Sequence, residues 1–437
     1  MRQETRDHEL TAASLHGSLT EPALESMNFL NEVAMRYPEA VSFASGRPLE
    51  DFFDVALLHT YIDTYCCYLK DELGYDEAAV NRLLFQYGRT KGIVHELVSR
   101  QLAADEGITA DPEAIVVTVG CQEAMFIAAR ALRADERDIM LAVSPTYVGL
   151  TGAARLADMP VWPVRSGPLG VDLNDLAGQV RRAKQAGLRP RGCYVMPDFA
   201  NPSGVSLTVP LRHELLDLAA EEGILLLEDN PYGLFHDGPH LPALKALDTR
   251  RQVVYLGSFA KTGFPGARVG YVVADQRVAA GDGSISLLAD ELSKIKSMVT
   301  VNTSPVAQAV VAGKLLHHEF SMAVANRRET AAYLRNLRQL LDGLSRRFAG
   351  LEGTVTWNSP SGGFFAVVTL PFPADDELLE RSAREYRVLW TPMSHFYSDG
   401  DGLHQVRLAC SQLTPDLIDE GLDRFAAFVA DQLSGRR

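Results

Sequence analysis

Short apolar runs alternate with amphipathic stretches between about residue 110 and residue 275. The runs are rich in aliphatic and β-branched residues and are bounded by Gly, Pro, Asp or Asn, which is typical of strands buried on both faces of a sheet. The stretches between them, such as Leu211–Glu222, repeat apolar residues at spacings of three and four and therefore predict helices. The predicted strands are Ala114–Val119, Ile139–Val143, Cys193–Pro197, Ile224–Glu228, Val253–Gly257 and Arg268–Val273.

The pattern changes after the sixth run. Few Gly or Pro residues interrupt 286–296 and 304–344, which predicts long helices there. Beyond residue 350 the pattern predicts a smaller α+β unit, whereas the first 45 residues show no strand pattern and predict an arm and a helix. The predicted strands of the smaller unit are Thr354–Trp357, Gly363–Leu370 and Val406–Ala409, and its predicted helices are Asp375–Tyr386 and Pro415–Leu433.

Strand–helix alternation predicts an α/β fold, with a mostly parallel sheet that is covered by helices on both faces. Ligands of such sheets bind beyond the carboxyl ends of the strands, so the residues that follow each run are candidates for chemistry. These segments are Gly120-Cys121-Gln122, Ser144-Pro145-Thr146-Tyr147, Asn201-Pro202-Ser203-Gly204, Asp229-Asn230-Pro231-Tyr232, Ser258-Phe259-Ala260-Lys261 and Gly266-Ala267-Arg268.

Composition narrows the range of partners. The 437 residues carry 42 Lys and Arg against 56 Asp and Glu, a net charge of −14, which argues against nucleic acid or an anionic membrane as the main partner. The polar start, MRQETRDHELTAAS, predicts no secretory signal, and no apolar run approaches the about 18–20 residues that span a bilayer. The five cysteines lack CxxC or Cys/His ligand spacing, so we expect no disulfide framework, no metal site and a cytoplasmic protein.

The groups at the strand ends match the parts of one cofactor. A helix N-terminus at Cys121, together with Ser258 and Arg268, suits a phosphate. The carboxylate of Asp229 suits a protonated ring nitrogen, and Lys261 suits an aldehyde with which it forms an imine. Phosphate, flat ring, basic ring nitrogen and aldehyde together describe pyridoxal 5′-phosphate (PLP).

In these residues the chain resembles the fold-type-I PLP enzymes, specifically the class I/II aminotransferases of the kynurenine/α-aminoadipate aminotransferase-like branch. The resemblance covers about Ser42 to Arg407 and rests on the order and spacing of several motifs. They are SFASGRP at 42–48, FQYGRTKG at 85–92, VTVGCQEA at 117–124, SPTYVG at 144–149, NPSG at 201–204, EDNPYG at 228–233, SFAKTGFPGARVGY at 258–271 and VRLACS at 406–411.

The resemblance implies a mostly parallel, seven-stranded type of sheet between helices in a large PLP-binding domain over residues 46–320. It also implies a small C-terminal domain over 321–437, to which part of the N-terminal arm, residues 1–45, contributes. Tyr87 would reach the phosphate of the neighbouring subunit, which implies a homodimer with active sites at the subunit interface.

The resemblance also assigns roles to single residues. Lys261 would form the imine with the cofactor and carry the proton between substrate and cofactor, and Asp229 would pair with the ring nitrogen. Asn201 and Tyr232 would bond the ring oxygen, and Tyr147 would stack on the ring. The phosphate would be held by Cys121 through its backbone N–H, Gln122, Ser258 and Arg268, and the substrate by Arg407, Asn201, Gly46 and Arg47.

Two positions depart from the family pattern. Cys121 stands where many relatives have Ser or Thr, so we expect Gln122 to compensate for a missing phosphate hydroxyl. Arg47 stands in GRP where relatives usually read GLP, and it is interpreted either as a substrate contact or as a salt-bridged structural residue. Plainer readings also exist for single residues, because Asp229 could cap a helix, NPSG could be an ordinary turn and Arg407 could be an exposed strand residue.

We therefore predict a PLP-dependent aminotransferase that transfers an amino group between an amino acid and a 2-oxo acid by a ping-pong mechanism. Its product could be a non-proteinogenic amino acid of a peptide antibiotic, such as an aryl-glycine or enduracididine of actinobacterial relatives. The first alternative is another PLP reaction, namely elimination, cyclisation, decarboxylation or oxidation. A PLP-sensing regulator is disfavoured because only about 45 residues precede the fold, and a nicotinamide dehydrogenase because no GxGxxG follows the first strand.

Overall fold

The computed structural model describes residues 10–20, 32–167, 169–351 and 353–435. Its strands are, in chain order, β1 (Val41–Ser42), β2 (Ile115–Thr118), β3 (Asp138–Val143), β4 (Val161–Val164), β5 (Ser166–Gly167), β6 (Gly170–Val171), β7 (Arg189–Val195), β8 (Leu225–Asp229), β9 (Val253–Ser258), β10 (Gly270–Val273), β11 (Arg277–Ala279), β12 (Ile285–Leu287), β13 (Thr356–Trp357), β14 (Phe365–Thr369), β15 (Val388–Leu389), β16 (Thr391–Pro392) and β17 (Gln405–Ala409).

The α-helices are α1 (Val55–Asp71), α2 (Glu77–Phe85), α3 (His95–Asp105), α4 (Gly120–Leu132), α5 (Val148–Leu156), α6 (Leu173–Gln185), α7 (Val209–Glu222), α8 (Leu244–Leu247), α9 (Leu288–Val299), α10 (Pro305–His317), α11 (Met322–Ala325), α12 (Arg327–Arg347), α13 (Asp376–Arg381) and α14 (Pro415–Leu433). Short 3-10 turns lie at Ala12–Ser14, Gly17–Thr20, Glu50–Phe52, Pro112–Ala114, Pro265–Ala267 and Met393–Phe396, and a π-helical turn at Ser382–Tyr386.

A seven-stranded sheet lies at the centre of the described residues, with the strand order β2-β10-β9-β8-β7-β3-β4. Neighbouring strands pair in parallel, except that β10 runs antiparallel to both β2 and β9. The predicted α/β class and the mostly parallel sheet are therefore confirmed, and each of the six predicted strands overlaps a strand of this sheet. The edge strand β4 was not predicted from the sequence, because it is only partly buried, contains Pro163 and lacks the continuous apolar run of the central strands.

Both faces of the sheet are buried because alternate residues of each strand face opposite helix layers. On β2, Val116 packs with the apolar residues of α4, α5 and α9. Its neighbours Ile115 and Val117 pack on the other face with α1, α3 and α10. All three valine and isoleucine side chains are fully buried, which explains why the runs read as continuous apolar stretches and not as alternating ones.

A second, antiparallel sheet has the strand order β13-β14-β17-β16 and packs with α12 and α14. The core of this unit also contains Val33, Val41 and Phe43 from the N-terminal part of the chain. β1 pairs in parallel with β15, so the expectation that the first 45 residues contain no strand was wrong. A strand of two residues is too short to leave a periodic pattern in the sequence.

The helix predictions agree with the structure to different degrees. The helix Pro415–Leu433 has the predicted bounds, whereas 304–344 is divided into α10, α11 and α12 by turns around 318–321 and at Asn326. Parts of the predicted N-terminal arm and helix, 1–9 and 21–31, lie outside the described residues. The domain boundaries at residues 45 and 320 stay a prediction. None of the described helices combines the length and apolar character needed to cross a bilayer.

The packing of α10 against α1 generates a first prediction. A Cβ atom at Gly313 of α10 would overlap the backbone of Tyr61 in α1, whereas a Cβ at Gly178 of α6 would meet nothing within 4 Å. Gly313→Ala is expected to destabilise the protein by about 1–3 kcal/mol, because the two helices must separate. Gly178→Ala is the matched control and is expected to stabilise by about 0.5–1 kcal/mol. Urea unfolding measures both, and equal midpoints for the two variants would contradict the described contact.

Candidate active site

The carboxyl ends of β7, β8 and β9 open into a cavity of about 1100 Å³. It is lined by all the predicted site residues except Tyr87, namely Gly46, Arg47, Cys121, Gln122, Tyr147, Asn201, Asp229, Tyr232, Ser258, Lys261, Arg268 and Arg407. Tyr87 follows α2, is 85% exposed and does not line the cavity of its own chain. Strand ends, the N-terminal segment and the small sheet therefore converge on one place, as the position of ligand sites in α/β sheets requires.

Asp229, the last residue of β8, is a buried carboxylate held by two neutral donors. The Tyr194 hydroxyl donates to Oδ2 over 2.6 Å, and the Cys121 thiol lies 3.5 Å from Oδ1. No cationic side chain pairs with Asp229 among the described residues. Burial raises the pKa of Asp229 to about 6, although its two hydrogen bonds lower it. A cation brought to this carboxylate by a ligand would relieve the cost of burying it.

Lys261 lies just beyond β9, and its Nζ donates to the carbonyl oxygen of Gly46 over 2.7 Å. Burial lowers the pKa of Lys261 to about 8, and the positive charges of Arg407, Arg47 and Arg268 contribute to the decrease. A larger fraction of this amine is thus neutral near physiological pH than in an exposed lysine, and the neutral amine is the form that attacks a carbonyl group.

The N-terminus of α4 and Arg268 form a cradle for a small anion. Gly120 starts the helix with a φ of +71°, and the Arg268 guanidinium lies where a Cβ of residue 120 would be, so glycine is required here. Free N–H groups of the first helical turn and a guanidinium are suitable donors for a phosphate. Ser258 lies at the same rim of the cavity, where its Oγ accepts a hydrogen bond from the N–H of Ala260 at 3.2 Å.

A buried ion pair behind this cradle was not predicted from the sequence. Glu123 accepts a hydrogen bond from the N–H of Val119 at 2.6 Å, and it pairs with Lys296 at 2.8 Å and with the Thr300 hydroxyl at 2.6 Å. Lys296 is fully buried. The Glu123 carboxylate thus holds the N–H of Val119 at the start of α4. The N–H groups of the next residues stay available for a ligand.

Arg407 of β17 is a second buried charge without a counter-ion among the described residues. Its Nη1 donates to Asn201 Oδ1 over 2.6 Å, its Nη2 donates to the carbonyl oxygen of Ala44 over 2.8 Å, and its buried Nε has no partner. The guanidinium carbon lies 4.5 Å from the ring centre of Phe365 and 5.1 Å from that of Phe396. Burial lowers the pKa of Arg407 to about 10. The plainer reading of Arg407 as an exposed strand residue is therefore wrong, and a substrate carboxylate would supply the missing negative charge.

Two tyrosines complete the wall around Asp229. Burial, and to a lesser extent Asp229, raises the pKa of Tyr147 to about 12, and the ring of Tyr147 packs so closely on Gly149 that a Cβ there would overlap it. Burial also raises the pKa of Tyr232, and the positive charge of Arg407 and, less strongly, a hydrogen bond with Asn201 offset part of this increase. Both phenols therefore remain protonated and can donate hydrogen bonds at neutral pH.

Gly46 and its neighbour Arg47 have distinct surroundings. A Cβ at Gly46 would lie 2.6 Å from Cζ of Phe365, so the segment can only approach the small sheet this closely with glycine. The carbonyl oxygen of Arg47 accepts a hydrogen bond from Ser411 at 2.7 Å, whereas its guanidinium is exposed and has no ion-pair partner in the described part of the chain. The structure thus offers no support for Arg47 as a salt-bridged structural residue.

Gln122 has a partner that the sequence did not indicate. Its Nε2 donates to the carbonyl oxygen of Gly149 over 2.6 Å and thereby joins the starts of α4 and α5. The expected compensation for the missing hydroxyl at Cys121 stays a prediction: this bond uses one of the two N–H groups of the Gln122 amide and leaves the other for a ligand. Tyr194 was missed as well, because a tyrosine within an apolar run carries no signal that separates a hydrogen-bonding role from packing.

The sequence profile of the family described as aminotransferase class I and II matches residues 72–425. The chain belongs to this family. It is 59% identical over 425 residues to an (S)-3,5-dihydroxyphenylglycine transaminase of Amycolatopsis orientalis, covering 97% of this chain and 96% of that relative. The structure is similar to that of a multiple substrate aminotransferase from Thermococcus profundus, with a TM-score of 0.81 and 24% identity over 97% of this chain and 99% of the other.

A second solved structure bears on the cofactor. The α-aminoadipate aminotransferase LysN of Thermus thermophilus, solved in complex with N-(5′-phosphopyridoxyl)-L-leucine, has a TM-score of 0.76 and is 25% identical, covering 97% of this chain and 98% of that one. These matches confirm the predicted family, the similarity to kynurenine/α-aminoadipate-type enzymes and the aminotransferase activity. The enzyme uses PLP. Its substrates are an amino acid and a 2-oxo acid.

The residues present fit PLP. Asp229 is a buried carboxylate without a cation among the described residues, which suits a protonated ring nitrogen. The N-terminus of α4 with Arg268 suits the phosphate, and the partly neutral Lys261 suits the aldehyde. In the described residues no group of three or more His, Cys, Asp or Glu side chains is arranged to hold a metal ion.

Lys261→Ala provides the direct test of the cofactor attachment point. Borohydride reduction of the wild-type enzyme with bound PLP is expected to leave the cofactor covalently attached to the peptide that contains Lys261, whereas the variant should carry none because it lacks the amine. Peptide mass spectrometry measures both. Lys294→Ala, at a lysine whose side chain is 70% exposed, is the matched control and should behave like the wild type. Covalent cofactor in the Lys261→Ala variant would contradict the assignment.

Proposed function

We propose that this enzyme transaminates (S)-3,5-dihydroxyphenylglycine or a closely related aryl-glycine, a non-proteinogenic amino acid of the kind found in peptide antibiotics. The observation that carries the proposal is the identity of 59% to a transaminase of that amino acid over nearly the full length of both chains. The two phenylalanines beside Arg407, Phe365 and Phe396, support it, since an aryl-glycine places a ring one bond away from the carbon that bears the carboxylate.

Substrate binding in this proposal starts at Arg407. Its guanidinium binds the α-carboxylate and Asn201, its present partner over 2.6 Å, keeps it oriented. The aryl ring then packs near Phe365, and Gly46 permits the N-terminal segment to close over it. Arg47, exposed at the rim and without an ion-pair partner in the described part of the chain, offers donors to a phenol oxygen.

The proposed chemistry uses five residues around the cofactor position. Bound PLP supplies an aldehyde that condenses with amines and a protonated ring that withdraws electrons from the substrate Cα. Asp229 would keep the proton on the ring nitrogen, Tyr232 and Asn201 would donate to the ring oxygen, and Tyr147 would cover the ring. The Lys261 amine would hold the aldehyde and, when free, would act as the base that accepts and returns the proton of the substrate Cα. Its lowered pKa leaves it competent as a base near pH 8.

We also propose that the active site is completed in a homodimer. Tyr87 is 85% exposed, and the neighbouring Phe85 and the distant Met298 are exposed to 77% and 84%. Large exposed apolar side chains are a common feature of surfaces that another chain covers. In the dimer, Tyr87 of one protomer would donate to the phosphate held by its partner. The cytoplasmic location stays a prediction that the free thiols support.

A half-reaction screen tests the substrate. The enzyme with bound PLP is mixed with single amino acids, and the loss of its visible absorbance band is followed together with the formation of pyridoxamine phosphate and the 2-oxo acid. (S)-3,5-dihydroxyphenylglycine is expected to react at least about tenfold faster than phenylalanine or 2-aminoadipate, because the aryl pocket contributes over about 1 kcal/mol to its transition state. A faster reaction with 2-aminoadipate would contradict the proposed substrate, and release of ammonia or CO₂ without pyridoxamine phosphate would favour the alternative PLP reactions.

Complementation between two inactive variants tests the dimer. Lys261→Ala and Tyr87→Ala subunits are each expected to have low activity as homodimers. Co-expressed mixtures should regain activity, because one site of the mixed dimer combines Lys261 of one protomer with Tyr87 of its partner. A mixture that stays as inactive as the homodimers would contradict the subunit-crossing role, whereas the Tyr87→Phe variant separates the hydroxyl from the packing of the ring.

A further inference from the structure

The carboxylate of Asp229 has a separate donor for each of its oxygens. Tyr194 of β7 donates to Oδ2 over 2.6 Å and Cys121 of α4 approaches Oδ1 to 3.5 Å, which is a hydrogen-bond distance for sulfur. Asp229 itself is 2% exposed, so water does not replace either donor. Two neutral donors from two different elements thus fix the plane and the charge of one carboxylate.

Titratable side chains from several elements surround this carboxylate. Cys121 and Tyr194 bond it directly, Tyr147 precedes α5, and Tyr232 lies on the loop after β8. Arg268 faces Cys121 across the cradle and is the cation that acts on this thiol. Burial and the negative charge of Asp229 both raise the pKa of Cys121, so the thiol keeps its proton and remains a donor.

Cys121 also belongs to the anion cradle. It is the second residue of α4, where backbone N–H groups have no partner within the helix. Its backbone therefore faces the phosphate position while its side chain faces Asp229. A thiol is a weaker hydrogen-bond donor than a hydroxyl, so the side chain of residue 121 is less suited to the phosphate than a serine would be and is left to serve the carboxylate.

We propose that the Cys121 thiol is a positioning residue for Asp229, and that residue 121 thereby connects the phosphate cradle with the carboxylate that holds the ring nitrogen. The inference rests on the proposed role of Asp229 and not on the identity of the substrate. The thiol favours the ionised carboxylate before the cofactor arrives, because a hydrogen bond to a charged group is stronger than one to its protonated form.

The sign of the pH effect follows from this geometry. Loss of a donor makes the carboxylate easier to protonate, and a protonated Asp229 cannot balance a protonated ring nitrogen. As the pH is lowered, PLP affinity should therefore begin to decline at a higher pH in a variant that lacks the thiol than in the wild type. At pH 8, where Asp229 is ionised in both proteins, the two affinities should be equal. A variant with a merely disturbed fold would bind more weakly at every pH.

The experiment titrates the full chain, freed of cofactor, with PLP between pH 5 and pH 8 and records the visible absorbance of the bound cofactor. Cys121→Ala is expected to bind about threefold more weakly than the wild type near pH 5 and equally at pH 8, and Tyr194→Phe is expected to show a larger loss of the same sign, since a phenol is the stronger donor. Cys410→Ala is the matched control, since this buried thiol bonds the carbonyl oxygen of Phe364 in the small sheet. The titration of the phosphate itself is common to all variants and cancels in the comparison.

Asp229→Asn separates the two levels of the claim. It is expected to weaken PLP binding strongly at all pH values, because the ring nitrogen loses its anionic partner. If Asp229→Asn does so and Cys121→Ala follows the wild-type curve, the role of the thiol is overturned while Asp229 keeps its proposed role. If Asp229→Asn binds PLP as the wild type does, the role of Asp229 and the inference are both overturned.

Discussion

The active site depends on one buried carboxylate that lacks a positive partner among the described residues. Asp229 is placed by the end of β8 in the middle of the sheet, and only neutral groups donate to it. A buried carboxylate of this kind is stabilised either by a proton or by a cation, and its pKa of about 6 lies at the boundary between the two states. In the proposed site, PLP would bring the compensating cation in its ring nitrogen.

The cationic side chains of the site also lack ion-pair partners among the described residues. The chain as a whole has a net charge of −14, yet Lys261, Arg268 and Arg407 line one cavity together with the exposed Arg47. Burial, together with the positive charges of the three arginines, lowers the pKa of Lys261 to about 8, which suits its proposed role as a nucleophile and a base. A phosphate and a substrate carboxylate are the anions that would balance Arg268 and Arg407. The fold thus holds charges of both signs that the cofactor and the substrate would neutralise in the proposed site.

The sequence predicts the parts of this site that lie at strand ends, because a buried parallel sheet places the residues after each strand along one edge. Lys261, Asp229 and Asn201 follow from that rule, and the family resemblance adds Arg407, which belongs to the distant small sheet. Tyr194 and the pair of Glu123 and Lys296 do not follow, since each is ordinary in its local segment and acquires its role through a contact between β7 and β8 or between α4 and α9. Such contacts depend on three-dimensional packing that no local pattern records.

The fold shows the same division. The central strands are continuous apolar runs and are predicted from the sequence. The edge strand β4 and the paired strands β1 and β15 are too short or too exposed to produce a recognisable hydrophobic pattern. Arg47 illustrates a related limit, because the sequence left open whether it is salt-bridged or faces the substrate. Its freedom from ion pairs within the described residues became visible only once the N-terminal segment was seen to run along the cavity.

A crystal structure of the full chain with PLP tests the central claim most directly. The account predicts continuous electron density between Nζ of Lys261 and the aldehyde carbon of the cofactor, with the ring nitrogen within hydrogen-bond distance of Asp229. It also predicts the phosphate at the N-terminus of α4, and Cys121 and Tyr194 still in contact with the carboxylate. A cofactor bound with its ring nitrogen away from Asp229, or attached to another lysine, would contradict the account.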